Sequence, residues 1–333
     1  MSEQPRDLSG MPGAAGTDQE RLLREGLRCL QLSGAIFLRA HFSAPWAYAS
    51  PASEQIVQML KPGDRRVILF HIFTEGRCRL ALERGGEAEL EAGDIAIFPF
   101  ADRHKLGHPD FANAVPVGAL LPAPPWTTFP VLRHGGGGAP ASMVCGYLYS
   151  DDLPFNPVLA SLPPFIRVRP SGGPLARWVE ASVSYALQAG ARDGDPLLQR
   201  LPELLFTESL CEFSRQHTGD DQGWLAGLAD PVVGRALAFI HREPARAWTL
   251  KELAQRAASS RSVLDERFRH FLGQAPMSYL TAWRLQLASR QLRTTKATMA
   301  EVAGAIGYGS EASFSRAFKR HTGVSPSEWR GAV

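Results

Sequence analysis

The chain has 333 residues, 44% of them hydrophobic and 21% charged, with a formal net charge of +3. This composition is typical of a globular protein with enough apolar material for two domains. No run of eighteen apolar residues occurs and the first residues lack a signal-peptide layout, so the sequence predicts no membrane association. Four widely spaced cysteines without a CxxC pair favour a reducing cytoplasm over a disulfide framework.

The charge is unevenly distributed along the chain. From Pro231 onward there are 16 Lys and Arg against 7 Asp and Glu, so this part is basic by +9 and the remainder is acidic by −6. A basic module on an acidic body predicts a polyanionic partner for the C-terminal part. An excess of arginine on a solvated helical surface would produce the same count, so charge alone leaves both interpretations open.

The first half of the chain has the pattern of a β-rich domain. Residues 1–20 are rich in Gly, Pro, Ser and Asp and are typical of a disordered leader, and Arg21–Leu32 is compatible with a short helix. From Gly34 to about Ile166, short apolar runs alternate with Pro and Gly, which predicts an all-β sandwich or barrel. We therefore assign residues 21–170 to one domain.

Helical spacing replaces this pattern after residue 170. Pro174–Ala189 and Pro196–Gln216 are predicted helices, and the second has an apolar stripe suited either to the core or to a dimer contact. We interpret residues 171–217 as a helical linker and dimerisation segment, with the helix Pro202–Gln216, and Leu205 within it, as the dimer surface.

A polar segment separates these helices from the C-terminal part. Residues 218–230 are predicted to be an interdomain linker, and residues 231–333 a separate all-helical domain.

The C-terminal domain contains an internal repeat of about fifty residues. In each copy the sequence predicts a short helix, a tight turn and a second helix, with Ser260 and Ser310 as N-caps and glycine as the stop. This layout is typical of a helix-turn-helix, although a plain helical bundle can use the same turns. The copies align at four special positions: Phe268 with Phe318, Gly273 with Gly323, Pro276 with Pro326, and Tyr279 with Trp329.

These residues resemble the DNA-binding domain of the AraC/XylS family of transcription regulators. The resemblance covers about Val232–Gly331 and implies two helix-turn-helix units joined by a long helix, here Pro276–Leu292. It further implies that the two recognition helices enter successive major-groove segments of DNA. It is most specific in the second unit, at Ala303, Ile306, Gly307, Tyr308, Ser313, Phe314, Arg316, Phe318, Lys319, Gly323, Pro326, Trp329 and Arg330.

The resemblance also implies which side chains contact DNA. Arg316 is suited to bidentate binding of guanine. The adjacent carboxylates Asp265 and Glu266 accept hydrogen bonds from cytosine but repel phosphates, which leaves the base contacts of the first unit open. The implied base contacts are Arg261, Ser262, Asp265 and Glu266 in the first unit and Glu311, Ala312, Ser315 and Arg316 in the second. The implied phosphate contacts are Arg269, Lys319 and Arg320.

The segment Gly93–His104 resembles the second sequence motif of the cupin fold, with Ala101 in place of the motif's later glycine. His71 and Glu75 match ligand positions of the first cupin motif, while Leu69 stands two residues before His71. The resemblance implies that His71, Glu75 and His104 either bind a divalent metal as a facial triad or contact an effector without metal.

Two cysteines belong to this predicted domain. We interpret Cys78 and Cys145 as buried core residues, with metal ligation or a redox-sensitive pair as the alternative.

Together these patterns predict an α+β two-domain fold: an N-terminal cupin-like β-barrel followed by a helical linker, and a C-terminal all-α domain with two helix-turn-helix units. The resemblance implies a cytoplasmic, homodimeric, sequence-specific regulator of transcription that binds double-stranded DNA, contacts RNA polymerase and is controlled by a small-molecule effector in the barrel. It implies no catalysis. A metal-dependent cupin enzyme, a dioxygenase or isomerase, is the alternative, and a DNA-architectural protein is a third class.

Overall fold

A computed structural model describes residues 18–28, 32–51, 55–56, 67–122, 130–149, 156, 158–170, 172–189, 196–216 and 223–331. The leader expected over residues 1–20 lies outside these ranges except for its last three residues. Those residues begin helix α1, Asp18–Arg28, which is the helix expected at Arg21–Leu32.

The N-terminal domain is built on two β-sheets that enclose a hydrophobic core. One sheet has the strand order β11-β6-β3-β10-β1-β9 and the other the order β5-β4-β7-β2-β8. The strands are β1 Ser33–Ser43, β2 Trp46–Ala49, β3 Val67–Glu75, β4 Arg77–Leu82, β5 Glu87–Glu91, β6 Ile95–Phe98, β7 His104–His108, β8 Val115–Pro116, β9 Val131–Gly135, β10 Pro140–Tyr149 and β11 Ile166–Val168.

Strand β3 is buried on both faces, because successive side chains of a strand point to opposite sides of its sheet. Leu69 and Phe73 belong to the core between the sheets. Phe70 and Ile72 belong to a second core that the helices cover. This explains why β3 is apolar from Val67 to Phe73 except at His71, instead of showing the alternation of a half-exposed strand.

Two helices follow the sheets, as the periodicity predicts: α2, Gly173–Ala189, and α3, Pro196–Gln216. Helix α3 packs along β1 and buries Leu205, which is 3% exposed. The assignment of Leu205 to a dimer surface is therefore wrong, because this side chain belongs to the core of its own domain. Its neighbour Leu204 is 50% exposed and faces outward.

The C-terminal part of the chain is helical throughout its described residues. The expected α+β class with two differently built parts is confirmed. The helices are α4 Trp224–Ala229, α5 Val233–Arg242, α6 Leu250–Arg256, α7 Arg261–Leu272, α8 Pro276–Thr294, α9 Met299–Ala305, α10 Glu311–Thr322 and α11 Pro326–Gly331.

The linker expected over residues 218–230 extends too far, because helix α4 lies within it. Five of the six α4 residues are buried. A helix with so many buried side chains is part of a packed core and cannot serve as a flexible connection. Residues 218–222, the polar part of that prediction, lie outside the described ranges.

Helix α1 joins the two parts of the chain into one hydrophobic core. It packs against α3 of the N-terminal domain and against α4 and α5 of the helical domain. Leu23 and Trp224 are both fully buried in this shared core. The approach is close at Gly26, where a Cβ would lie 3.3 Å from both the Trp224 ring and the Val158 side chain.

The described helices include none that is long and apolar enough to cross a membrane.

The neighbours Leu204 and Leu205 form a matched pair for testing the packing of α3. We expect Leu205→Ala to lower the free energy of unfolding by about 2–5 kcal/mol, because it leaves a cavity in the core. Leu204→Ala removes an exposed side chain and should change it by less than about 0.5 kcal/mol. Urea unfolding followed by circular dichroism measures both, and equal losses would contradict the orientation of α3.

Candidate nucleic-acid interface and effector cavity

Each helix-turn-helix unit has a recognition helix with defined ends. The Ser260 hydroxyl accepts a hydrogen bond from the Val263 N–H at the start of α7, and the Ser310 hydroxyl accepts one from the Ser313 N–H at the start of α10. Gly273 closes α7 in the left-handed conformation that glycine adopts without strain. These caps confirm the ends expected from the repeat, and Gly323 closes α10 in the same way.

The tight turns of the two units share a positive φ at the residue after the C-cap of the first helix, although the second turn is one residue longer. In the first turn Ala258 has a φ of 54°, and in the second Gly307 has a φ of 82°. Glycine is required in the second turn because a Cβ at Gly307 would overlap the carbonyl oxygen of Ala245. The first turn has alanine at this position, which adopts the left-handed region at the cost of some backbone strain.

Helix α8 contributes side chains to the hydrophobic cores of both helix-turn-helix units. Tyr279 at its start packs with Phe268 in the first unit, and Leu292 near its end belongs to the core of the second. Arg284 in the middle of α8 donates to the carbonyl oxygens of Pro244 and Arg246, both at 2.7 Å. The long helix therefore holds the two units at a set separation.

A buried polar network connects α8 to the shared core. The Trp224 indole N–H donates to the Tyr279 hydroxyl at 2.8 Å, and His241 Nε2 lies 2.8 Å from the same hydroxyl. The His241 ring stacks on Trp283, with centroids 3.9 Å apart. Burial lowers the pKa of His241 to about 3, so the ring is neutral at physiological pH.

All eight side chains expected to contact bases lie on the recognition helices and are accessible to solvent. Asp265 and Ser315 are partly buried and the other six are exposed. Val263, which is absent from the predicted contacts, is 39% exposed at the start of α7. An exposed apolar side chain at this position is suited to contact a thymine methyl group. The sequence signal that could have identified Val263 is its position directly before Leu264, the first buried residue of α7, because adjacent residues of a helix face different sides.

The two recognition helices differ in their electrostatics. In α7 the Arg269 side chain donates to the Asp265 carboxylate at 2.8 Å, so the cation expected to bind phosphate is paired within its own helix. The equivalent positions of α10 are Ser315 and Lys319, and Lys319 is exposed. The second unit therefore presents more free positive charge to a polyanion than the first.

The core between the two sheets contains a cavity, which we name the inner cavity. Its volume is about 40 Å³, about three times what one water molecule requires. The lining is almost entirely apolar. It consists of Leu38, Ala40, Phe42, Tyr48, Ser50, Pro51, Ile56, Leu69, His71, Val117, Leu121, Leu132 and Cys145.

A wider, solvent-open cleft of about 900 Å³ adjoins the inner cavity. The two share Ser50, Pro51 and Val117 in their linings. The open cleft carries charged side chains, including Arg103 and Lys105. The domain therefore offers an apolar interior next to a charged entrance.

Two of the three expected ligand residues meet beside the inner cavity. His71 Nε2 lies 3.4 Å from His104 Nε2, and both side chains are buried. His104 Nδ1 donates to the backbone carbonyl of Asp102 at 2.9 Å, so its Nε2 must accept from His71. Burial lowers the pKa of His104 to about 4 and that of His71 well below its usual value, so both rings are neutral.

The third expected ligand, Glu75, lies elsewhere. Its carboxylate is exposed and accepts from the Ser142 hydroxyl at 2.9 Å, and the same hydroxyl lies 3.0 Å from His41 Nδ1. The pairing of β3 with β10 is irregular next to Ser142, which places Glu75 opposite that residue. The described residues contain no group of three potential metal ligands. The facial triad of His71, Glu75 and His104 is therefore wrong, and the residues present do not fit a cupin metal.

The hairpin that presents His104 is strained at Ala101. This residue has a φ of 49°, in the left-handed region, at the position where the cupin motif has glycine. Its N–H donates to the Phe98 carbonyl in the turn. The departure from the motif at this position is thus accommodated by a strained alanine, without loss of the hairpin.

The cysteines of this domain are buried free thiols, as expected. Cys145 Sγ lies 2.8 Å from His71 Nδ1, and since His71 donates through Nε2, the thiol is the donor in this contact. Burial raises the pKa of both Cys78 and Cys145. Both are therefore protonated at neutral pH, which does not favour metal ligation or rapid oxidation.

Comparison with known proteins agrees with both halves of this architecture. Residues 21–213 match the family model described as Cupin, and residues 253–332 match the model described as Helix-turn-helix domain. A solved structure of the DNA-binding domain of AdpA in complex with a target DNA is 34% identical, with a TM-score of 0.30. That match covers 31% of this chain and 92% of that one.

Relatives of known sequence are transcription regulators. An AraC-like transcription regulator of Streptomyces antibioticus is 42% identical over 176 residues, which cover 52% of this chain and 58% of that protein. The chain thus spans little more than half the length of this relative. The HTH-type transcriptional regulator AlkR of Acinetobacter baylyi is 24% identical over 308 residues, or 90% of this chain and 96% of that protein. The chain belongs to the AraC/XylS family of transcription regulators, in the group that carries an N-terminal cupin domain.

Proposed function

We propose that this protein is a sequence-specific DNA-binding transcription regulator, controlled by a small molecule that binds in the N-terminal domain. The observation that carries the proposal is the pair of capped, exposed recognition helices α7 and α10, held at a set separation by α8. Two different recognition surfaces favour a defined DNA site over binding by charge alone. The local charge of +9 supplies the attraction to the phosphate backbone.

Control by an effector requires that the effector bind two arrangements of the protein with different affinity. The shared core offers a physical connection. Helix α3 packs on β1, which lines the inner cavity, and α1 packs on α3 and on helices α4 and α5 of the DNA-binding domain. A ligand that shifts β1 or α3 therefore changes the surface on which the first helix-turn-helix unit rests.

Three finer assignments belong to the same proposal: a cytoplasmic location, a homodimer and a contact with RNA polymerase. Leu204 and Tyr185 support the homodimer, because both are exposed large hydrophobic residues on α3 and α2. Apolar surface of this kind is typical of the centre of a protein–protein contact.

The proposal is tested by fluorescence anisotropy of the purified protein on DNA from upstream of its own gene. Scrambled DNA of the same length is the control, at two salt concentrations. A specific regulator should prefer the native DNA by at least about a thousandfold. Equal, salt-sensitive binding to both DNAs would indicate an architectural protein instead, and no binding to either would overturn the proposal.

Arg316 and Lys319 allow base reading to be separated from phosphate binding on one helix. We expect Arg316→Ala to relax base preference at one position of the site by about 1–3 kcal/mol, with little change in salt dependence. Lys319→Ala should weaken binding to all sequences and lower the salt slope by about one unit. Anisotropy titrations on single-base variants of the site, at several salt concentrations, measure both. Exchanged behaviour of the two variants would contradict their roles.

The ion pair between Asp265 and Arg269 predicts a variant that binds DNA more tightly. Asp265→Asn removes a negative charge from α7 and releases the Arg269 guanidinium, so affinity for scrambled DNA, where Asp265 makes no specific base contact, should rise and the salt slope should steepen by up to about one unit. Glu180→Gln, on an exposed position of α2, is the matched control for the change in net charge. An equal effect of both variants would show that only net charge matters.

A further inference from the structure

The inner cavity has one polar group that lacks a good partner. The Tyr48 side chain is 4% exposed and lines the cavity, yet the one contact of its hydroxyl among the described residues is with the Met143 sulfur at 3.9 Å. Thioether sulfur is a weak acceptor, and a buried tyrosine hydroxyl usually has a strong one. The Tyr48 hydroxyl is therefore a hydrogen-bond donor without a matching acceptor among the residues that the structure describes.

The other polar groups of the lining are already engaged. His71 uses both ring nitrogens, one with Cys145 and one with His104. The Ser50 hydroxyl has a long contact of 3.5 Å with the adjacent Pro51 carbonyl. Tyr48 is thus the lining residue best placed to donate a hydrogen bond to a ligand in the inner cavity. Ser50 lies at the boundary with the open cleft.

The position of the Tyr48 ring is set before any ligand arrives. It stacks with Phe42, with centroids 5.7 Å apart, and Phe42 in turn stacks on Trp46 at 4.1 Å. Strand β2, which carries Tyr48, is paired with β7 on one side and β8 on the other. A donor held in this way binds an acceptor without a large loss of side-chain entropy.

The described lining of the inner cavity contains no lysine, arginine, aspartate or glutamate. A charged ligand there would lose its hydration without gaining an opposite charge, which is costly. The cations Arg103 and Lys105 lie on the open cleft. The chemistry of the inner cavity therefore selects against carboxylates and ammonium groups.

We infer that the inner cavity binds a small, neutral, largely apolar molecule with one hydrogen-bond-accepting oxygen, such as a ketone, ester or lactone, and that the Tyr48 hydroxyl donates to that oxygen. The inference rests on the proposed function, because it names the chemical class of the effector. It assigns to Tyr48 the role of recognising the polar atom, while Leu38, Leu69 and Leu132 surround the apolar body.

Three probes of similar size test this assignment on the full-length protein. Butanone carries the acceptor oxygen, 2-methyl-1-butene replaces that oxygen by a CH2 group, and propionate carries a charge; each has five heavy atoms, in keeping with a cavity of about 40 Å³. Dissociation constants are measured by isothermal titration calorimetry for the wild type, for Tyr48→Phe and for the control Tyr185→Phe, an exposed tyrosine outside the cavity. Thermal unfolding of each variant establishes that it is folded.

We expect Tyr48→Phe to weaken butanone binding about fivefold, the loss of one hydrogen bond, and to change 2-methyl-1-butene binding less than twofold. Tyr185→Phe should change neither, and propionate should not bind to the wild type. An equal effect of Tyr48→Phe on the ketone and the hydrocarbon would mean that Tyr48 only shapes the cavity. Tightest binding of the carboxylate, or no binding of the ketone, would also overturn the inference.

These measurements contain no DNA, so their failure is distinguishable from a failure of the proposed function. Specific DNA binding together with no ketone binding would retain the regulator and reject this effector class. Ketone binding that depends on Tyr48, in a protein that binds no DNA, would retain the cavity assignment and reject the regulatory role.

Discussion

The burial of Trp224 is the interaction on which the arrangement of the whole molecule depends. Its ring packs so close to α1 that a Cβ on Gly26 would lie 3.3 Å from it, and its N–H donates to the Tyr279 hydroxyl at the start of α8. One side chain therefore connects the N-terminal helix, the start of the DNA-binding domain and the helix that spaces the two recognition helices. An indole fills this position well because it combines a large apolar surface with a single donor.

The shared core restricts the movement of the DNA-binding domain relative to the N-terminal domain. A flexible linker would let the DNA-binding domain move independently of the sensor domain. Here α1, α3, α4 and α5 share one core. A shift of α3 against the sheet therefore displaces α1, and α1 contacts helices α4 and α5 of the DNA-binding domain. The second unit lies in a separate core and is connected through α8. The first unit is thus the one placed to respond to the N-terminal domain.

The two units also divide the work of binding DNA in our proposal. The first has a paired Arg269 and an exposed Val263, which suits it to discriminate bases by shape and apolar contact. The second has exposed Arg316 and Lys319, which suits it to bind guanine and phosphate. A unit coupled to the effector domain and a unit rich in free positive charge together allow regulation without loss of the general affinity for DNA.

The sequence by itself determined the elements whose signals are local. Capping serines, stop glycines and helical periodicity act within a few residues, so the recognition helices and their ends were predictable, as were the buried cysteines. Tertiary structure alone decided which face of a helix or strand is buried. Leu204 and Leu205 have the same chemistry, yet contact with β1 buries only the second. Glu75 has the spacing of a metal ligand, but an irregularity in the partner strand places it opposite Ser142. The unmatched hydroxyl of Tyr48 was likewise invisible in the sequence, because a missing partner is a property of the surrounding space and not of the residue.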